Sequence, residues 1–453
     1  MKLPDYFIAD LPSEAVLTPT MVREASQALK RNRERYLATR PTAHLIHVLS
    51  ETAANWLEPD YPFRRLALEH GPAAAGFGTA TLARGVDSFF RELTRENLQG
   101  WVVEELGHPR RLDGMAATGG ESRSSPAAMA CGPELLVHIA AGNVPSPAWL
   151  SLVAGLLVRS AQFMKCARGT SLLPRLFAHS LHEADPKLGA CLEIAEWRGG
   201  DALLEEPLFE EASCVTATGT DETLAEVRSR LPERVRFVGY GHRVSFGFIA
   251  RDLFSGFGAQ KLLSHAADDV AAWNQLGCLS PHLFYVQTGG AVGPEGFAES
   301  LAEELARREL TEPRGPLPVP EAAGITLRRE FYQMRAAASA ETRVWCSEGS
   351  TAWTVVYEAD ARFQTSCLNR FVYVKGVADL AEALRQAEPV RGRVSTVGLA
   401  AADDTAGQLA TELARWGVTR VCPIGRMQRP PLTWRHDGRP VLGDLITWTG
   451  WER

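Results

Sequence analysis

Cys278 stands in the stretch AWNQLGCLSPH, Ala272 to His282, between a glycine that permits close backbone approach and a proline that fixes the exit of the chain. Such a turn presents a thiol together with its own main-chain N–H. The thiol becomes a nucleophile when a lowered pKa or a nearby base activates it, and His282 and His242 are the residues that fit the part of a base. The other reading is a buried structural cysteine, a common state of a free thiol. Eight cysteines lie scattered at positions 131, 166, 191, 214, 278, 346, 367 and 422 with no C-x-x-C pair, so neither a disulfide framework nor a zinc site is indicated.

Three other stretches carry groups with chemical use. In ELLVHIAAGNVPSPAWL an apolar run enters Gly142-Asn143-Val144-Pro145 and then a helical pattern, so the Asn143 amide projects where it can donate to an oxyanion or stabilise its own turn. In FMKCARG, Lys165 ends an apolar strand and Arg168 follows three residues later; the two cations suit a phosphate, or simply solvate the strand end. In TATGTDET, the turn Thr218-Gly219-Thr220 leads into a helix expected to be capped by Asp221, with main-chain N–H groups free to face a pyrophosphate. No G-x-G-x-x-G motif accompanies it.

The elements that must position these groups follow from hydrophobic period. From about Glu134, short apolar runs alternate with helical ones through ELLVHIA, PAWLSLVAGLLVRS, AQFMK, LLPRLFAHSLHEA, CLEIAEW, LLEEPLFEEA and SCVTAT. This predicts βαβ units on a parallel sheet, with ligands at the strand carboxyl ends, in the turns AAGNVPSP, CARGTS and TGTDET. The first 110 residues read as mostly helical and show no chemistry. Beyond RVRFVGYGHRVSFGFIA a second α/β domain is expected, with a helix at FAESLAEELARREL and a proline-rich connector at TEPRGPLPVPEAA. The boundaries expected are 1–240, 241–425 and a tail, 426–453, packed across domains or subunits.

Bulk properties narrow the class. A chain of 453 residues exceeds the size at which single cores stop growing. Its 45% hydrophobic and 23% charged residues, with a net charge of −6, lack the basic excess of a nucleic-acid binder. The N-terminus has no signal-peptide pattern, and the most apolar run, Trp149 to Val158, is far shorter than the roughly 20 residues of a membrane helix. A cytoplasmic protein with no membrane span and no nucleic-acid partner is expected.

Taken together, HIAAGNVP, LVRSAQFMKCARG, VTATGTDE, WNQLGCLSPH and the terminal RMQRPPLTWRHDG resemble the acyl-CoA reductase family of luminescence-type fatty acyl reductases, within the aldehyde dehydrogenase superfamily. The resemblance spans about residues 110 to 453, and Asn143 precedes Cys278 by 135 residues, a spacing similar to the superfamily's. It implies an aldehyde-dehydrogenase-like fold: two parallel-sheet α/β domains, one for cofactor and one for catalysis, with a cleft between them and a mostly helical N-terminal segment. It makes Cys278 the nucleophile, and the Asn143 side chain with the Cys278 N–H an oxyanion hole. Lys165 becomes the contact to the adenosine ribose; Gly142 and Thr218-Gly219-Thr220 belong to the cofactor site. Arg168 takes the place of the acid that holds the ribose 2′-hydroxyl in NAD-preferring relatives, which favours a 2′-phosphate and hence NADPH. Two departures stand out: VGYGHRVSFGF has no counterpart of the E-L-G-G glutamate that activates water, and Leu224 replaces the superfamily's second glycine.

The activity implied is NADPH-dependent reduction of an acyl thioester, on CoA or an acyl-carrier protein, to the aldehyde through a cysteine-bound acyl-enzyme. Rival readings are oxidation of an aldehyde to an acyl thioester or acid, and an acyl-carrying or acyltransferase protein without reduction. The resemblance also implies a homo-oligomer and an acyl-protein synthetase as partner. No metal is implied.

Overall fold

The computed structural model describes residues 3–12, 14–117, 127–251, 253 and 257–452. Packing divides the chain into two compact units, Met1–Ala75 with Val86–Gly241 and Pro431–Arg453, and Gly76–Gly85 with His242–Pro430. Both units are α/β, built on largely parallel sheets, and a helical segment precedes the first strand.

Among the described residues, five α-helices precede the first strand: α1 (Pro19–Tyr36), α2 (Thr42–Leu57), α3 (Pro62–Ala75), α4 (Thr79–Phe90) and α5 (Arg95–Leu106). Their ends are chemically marked. Thr18 caps α1 by accepting the Met21 N–H ahead of a proline at the first helical position, and Gly107 closes α5 at φ +73°.

The first unit then runs β1 (Ala127–Cys131), β2 (Leu135–Ile139), α6 (Ser146–Leu157), β3 (Ala161–Cys166), α7 (Leu172–Ala184), α8 (Pro186–Gly189), β4 (Leu192–Glu196), α9 (Ala202–Glu211), β5 (Cys214–Thr218), α10 (Asp221–Ser229) and β6 (Arg236–Tyr240). Strands β2 to β6 form a parallel sheet in the order β4-β3-β2-β5-β6. The apolar runs seen in the sequence are these strands, buried on both faces as parallel strands must be. Side chains of three central strands fix their relative register: His138 of β2 bridges Thr216 of β5 (2.7 Å) and Gln162 of β3 (2.9 Å), and Gln162 donates on to the Leu152 carbonyl of α6 (3.0 Å). A Cβ on Gly155 would meet that glutamine at 2.2 Å, so the glycine lets α6 close on the sheet.

The second unit comprises β7 (Val244–Ile249), α11 (Phe257–Ala271), β8 (Pro281–Gln287), α12 (Pro294–Thr311), α13 (Val319–Ala338), β9 (Thr342–Cys346), β10 (Thr354–Glu358), β11 (Phe371–Val377), α14 (Leu380–Gln386), β12 (Val394–Ala400), α15 (Asp403–Trp416) and β13 (Arg420–Pro423). Its sheet has the order β13-β12-β7-β8-β11-β10-β9, parallel except where β9 meets β10. Apolar side chains fill both faces, with Phe246, Tyr285 and Tyr373 on one and Phe284, Val286 and Val374 on the other. The proline-rich connector is shorter than its sequence suggests: α13 begins at Val319, because a proline in the first turn is compatible with helix.

The last strand, β14 (Thr447–Trp451), pairs antiparallel with β1 from Ala127↔Trp451 to Cys131↔Thr447 and packs with the first unit. Glu105 ties the preceding segment down by accepting the N–H groups of Val441, Leu442 and Gly443. Among the described residues no helix is long and apolar enough to cross a membrane.

Candidate active site

In the first unit, strand order reverses between β2 and β5, and a crevice outside the carboxyl ends of such strands is where open α/β sheets bind ligands. The carboxyl ends of β2, β3 and β5 and the loops beyond them carry Gly142 and Asn143, Lys165 and Arg168, and Thr218 to Thr220. The fold therefore gathers these sequence-marked residues along one edge of one sheet. Gly142 and Asn143 are exposed, and a Cβ on Gly142 would meet the Thr170 side chain at 2.8 Å, so the β2 loop lies directly against the β3 loop.

The β3 loop has an organiser that the sequence did not disclose. Glu196, at the end of β4, accepts the Gly169 N–H at 2.6 Å with one oxygen and the Ser171 N–H at 3.1 Å with the other. Its carboxylate is thus engaged by main chain, while the Arg168 side chain on the same loop is exposed. Lys165 is buried, with Nζ beside Gly199; burial pushes its pKa down and the nearby Glu205 carboxylate pushes it back up.

At β5 one expectation is corrected. Thr220, not Asp221, caps α10, its Oγ1 accepting the Thr223 N–H at 3.3 Å. A threonine hydroxyl one residue earlier has the extended backbone that capping needs, and Asp221 and Glu222 fall in the first turn, where they already complement the helix dipole.

Cys278 lies in the second unit at the amino edge of its sheet, just before β8, and is partly exposed. The Ser280 N–H closes the turn on the Gly277 carbonyl at 3.0 Å, leaving Cys278 and Leu279 at its tip. Ser245 Oγ donates to the Cys278 carbonyl at 2.8 Å. Upstream, Trp273, Asn274 and Gln275 all have positive φ, between 50° and 65°, a costly conformation for residues with a Cβ. Their side chains hold it: Asn274 donates to the Arg314 carbonyl (2.9 Å), and Gln275 to those of Pro281 (2.7 Å) and Phe371 (2.9 Å). Trp273 packs on Phe77 and on Gly85, where a Cβ would come within 2.2 Å of the indole.

His282 is buried, its Nδ1 accepts the Ser366 N–H at 3.0 Å, and burial, with the charge of His242, holds its pKa down to about 4. Arg420 of β13 is a buried cation of this unit; burial lowers its pKa, and Cys422, Asp269 and Cys278 raise it. It donates to the main-chain carbonyls of Met427 and Arg426, both at 2.7 Å. Sequence alone gave no signal for it, because β13 and the cysteine turn are 142 positions apart.

Comparison with known proteins places the chain in a family. The family model described as acyl-CoA reductase (LuxC) matches residues 37–448. Among curated proteins, the chain is 23% identical over 323 residues to a long-chain acyl-protein thioester reductase of Aliivibrio fischeri, covering 70% of this chain and 64% of that protein. It is 21% identical over 322 residues to long-chain acyl-protein thioester reductase 2 of Photobacterium leiognathi, with the same coverages. The chain therefore spans less than two thirds of the length of these relatives. Among solved structures, an NAD-dependent benzaldehyde dehydrogenase from Corynebacterium glutamicum superposes with a TM-score of 0.69 at 16% identity over 97% of this chain and 90% of that one. The Δ-pyrroline-5-carboxylate dehydrogenase from Mycobacterium tuberculosis gives 0.68 at 14% over 100% and 86%.

Proposed function

Because the chain belongs to the acyl-CoA reductase (LuxC) family, we propose that it reduces an acyl thioester to the aldehyde, with Cys278 as nucleophile and NADPH as reductant. The observation that carries this reading is the Cys278 turn itself: a partly exposed thiol at the tip of a closed turn, its carbonyl tied to Ser245, with the Arg420 charge in range.

In this proposal Cys278 Sγ attacks the thioester carbonyl, its bond to carbon forming as the bond to the donor thiol breaks; the donor leaves as the free thiol after taking up a proton. The hydride to the acyl carbon would come from a nicotinamide cofactor when one is bound. The Cys278 N–H would receive the negative charge on oxygen, the Asn143 amide being the second donor that the family resemblance implies, and loss of one such donor costs on the order of 10²–10³ in rate. Collapse of the oxyanion expels Sγ as thiolate and releases the aldehyde. Lys165, the Gly142 main chain and Thr218 to Thr220 are proposed to hold the cofactor, with Arg168 selecting its 2′-phosphate. Absence of an E-L-G-G glutamate favours reduction over hydrolysis to acid. The acyl donor is proposed to be CoA or an acyl-carrier protein, with an acyl-protein synthetase as partner and a homo-oligomer as the assembly.

The deciding experiment combines intact mass and product analysis. Wild type given acyl-CoA is expected to show one acyl adduct, mapped to Cys278, and with NADPH to release aldehyde; Cys278→Ala is expected to do neither. Reduction by Cys278→Ala at the wild-type rate overturns the covalent route, and an adduct that NADPH never discharges overturns reductase activity in favour of acyl carriage.

A further inference from the structure

The segment Gly425 to Gln428 takes no part in the chemistry above, yet it lies on the cysteine turn. Gln428 Nε2 donates to Ser280 Oγ, and its Oε1 lies where a Cβ on Gly277 would come within 2.9 Å. One carboxamide therefore touches both ends of the turn whose tip is Cys278.

The segment is itself held from three elements. Asp269 of α11, buried, accepts the N–H groups of Gly425 (2.5 Å) and Met427 (3.0 Å). Arg420 of β13 donates to the carbonyls of Arg426 and Met427. Met427 is buried against Gly398 of β12, where a Cβ would meet its sulfur at 2.6 Å, and Gly425 takes φ +91° over the His265 ring. Side chains that support a reacting group in this way set its orientation, and a misplacement of about 1 Å can cost about 100-fold in rate.

We propose that Gln428 is a positioning residue for Cys278, bridging Gly277 and Ser280 so that the thiol and its main-chain N–H keep one orientation. The proposal rests on the cysteine chemistry above. Gln428 and Ser280 act through one hydrogen bond, so their losses should not multiply.

The test is a double-mutant cycle on the full chain with Gln428→Ala, Ser280→Ala and the double variant, in two arms. In the first, acylation of Cys278 by acyl-CoA is followed by intact mass; each single variant is expected to be about 10- to 100-fold slower than wild type, and the double no slower than the worse single. In the second, alkylation of Cys278 by iodoacetamide is followed by peptide mapping across pH 6 to 9; a change of threefold or more is expected, equal in all three variants, with melting temperatures within a few degrees of wild type. Unchanged rates, or losses that multiply in the double variant, overturn the proposal. Gln428→Glu, which can accept from the Ser280 hydroxyl, is expected to recover part of the acylation rate while moving the alkylation midpoint to higher pH; no recovery in it and melting in Gln428→Ala would leave only a structural role and also overturn the proposal. The alkylation arm needs no acyl substrate, so wild type that forms no adduct sinks the reductase reading while the bridge is still judged.

Discussion

Ser245 Oγ donates to the Cys278 carbonyl at 2.8 Å and accepts the Thr396 N–H at 3.1 Å, joining the cysteine turn to a strand 118 positions later in the chain. Both ladders that flank β7 change register here, between Ser245 and Gly247 against β8 and between Val394 and Thr396 on β12. A register shift leaves a main-chain N–H without its ladder partner, and the serine hydroxyl takes it up. The irregularity is thus the means by which a regular sheet grips an irregular turn.

Ser245→Ala is expected to remove both bonds while keeping the volume nearly constant. Stranding a buried main-chain group costs about 1–3 kcal/mol, so thermal unfolding should move down by several degrees, and Cys278 acylation should slow by about tenfold. Calorimetry with adduct kinetics checks this; wild-type values in both would mean the bond carries no load.

Cofactor choice is expected to follow one charge. Arg168 is exposed on a loop beside Glu196 of β4, whose carboxylate is already bonded to the main-chain N–H groups of Gly169 and Ser171. Arg168→Glu should lower kcat/KM for NADPH by 10-fold or more and leave that for NADH within about threefold, since a 2′-phosphate would lose a charge-assisted partner worth about 1.5–3 kcal/mol. Steady-state kinetics with both cofactors decides it, and an unaltered ratio refutes the assignment.

Stability should depend on pH through buried carboxyls. Burial raises Glu193 to about 8, against main-chain N–H bonds from Ile8 and Ile194 that lower it, and raises Asp269 to about 7. A carboxyl with a raised folded pKa contributes stability fully below its unfolded value near 4, and that contribution is lost as pH climbs through the folded value. The buried rings of His138 and His282, both lowered to about 4 by burial, act in the opposite sense: their contribution is present above about 6.5 and is lost as pH falls toward 4. Between pH 7 and 8 Glu193 dominates this set, so urea unfolding should weaken by about 1 kcal/mol over that unit, and Glu193→Gln should flatten the slope. A slope that persists unchanged in Glu193→Gln would rule out this carboxyl as its source.

The alternation from Leu135 to Thr218 was legible because parallel strands buried on both faces must be written as short continuous apolar runs, and the loops between them inherit their place from the strand order. Cys278 was legible as a turn residue from Gly277 and Pro281. Its supports were not. Ser245, Arg420 and Gln428 reach it from β7, from β13 and from the segment beyond β13, and such contacts leave no local pattern. The cap of α10 was read one residue late, because threonine and aspartate in succession both satisfy the local rule and only backbone conformation separates them. Nor does the sequence announce the two left-handed runs, Trp273 to Gln275 and Leu368 to Arg370, since each contains one asparagine and no glycine.

Residues 76–85, which carry no chemistry of their own, are what that first left-handed run leans on: Phe77 and Gly85 receive the indole of Trp273, Gly78 closes against the Pro313 carbonyl, and Arg84 pairs with Asp268 and Glu312. A contorted backbone of this kind persists only under continuous restraint. Ten residues from the helical leader are therefore a brace on loan to the second unit, and trimming the chain to the stretch after them would cut away the stop against which the cysteine turn is wound.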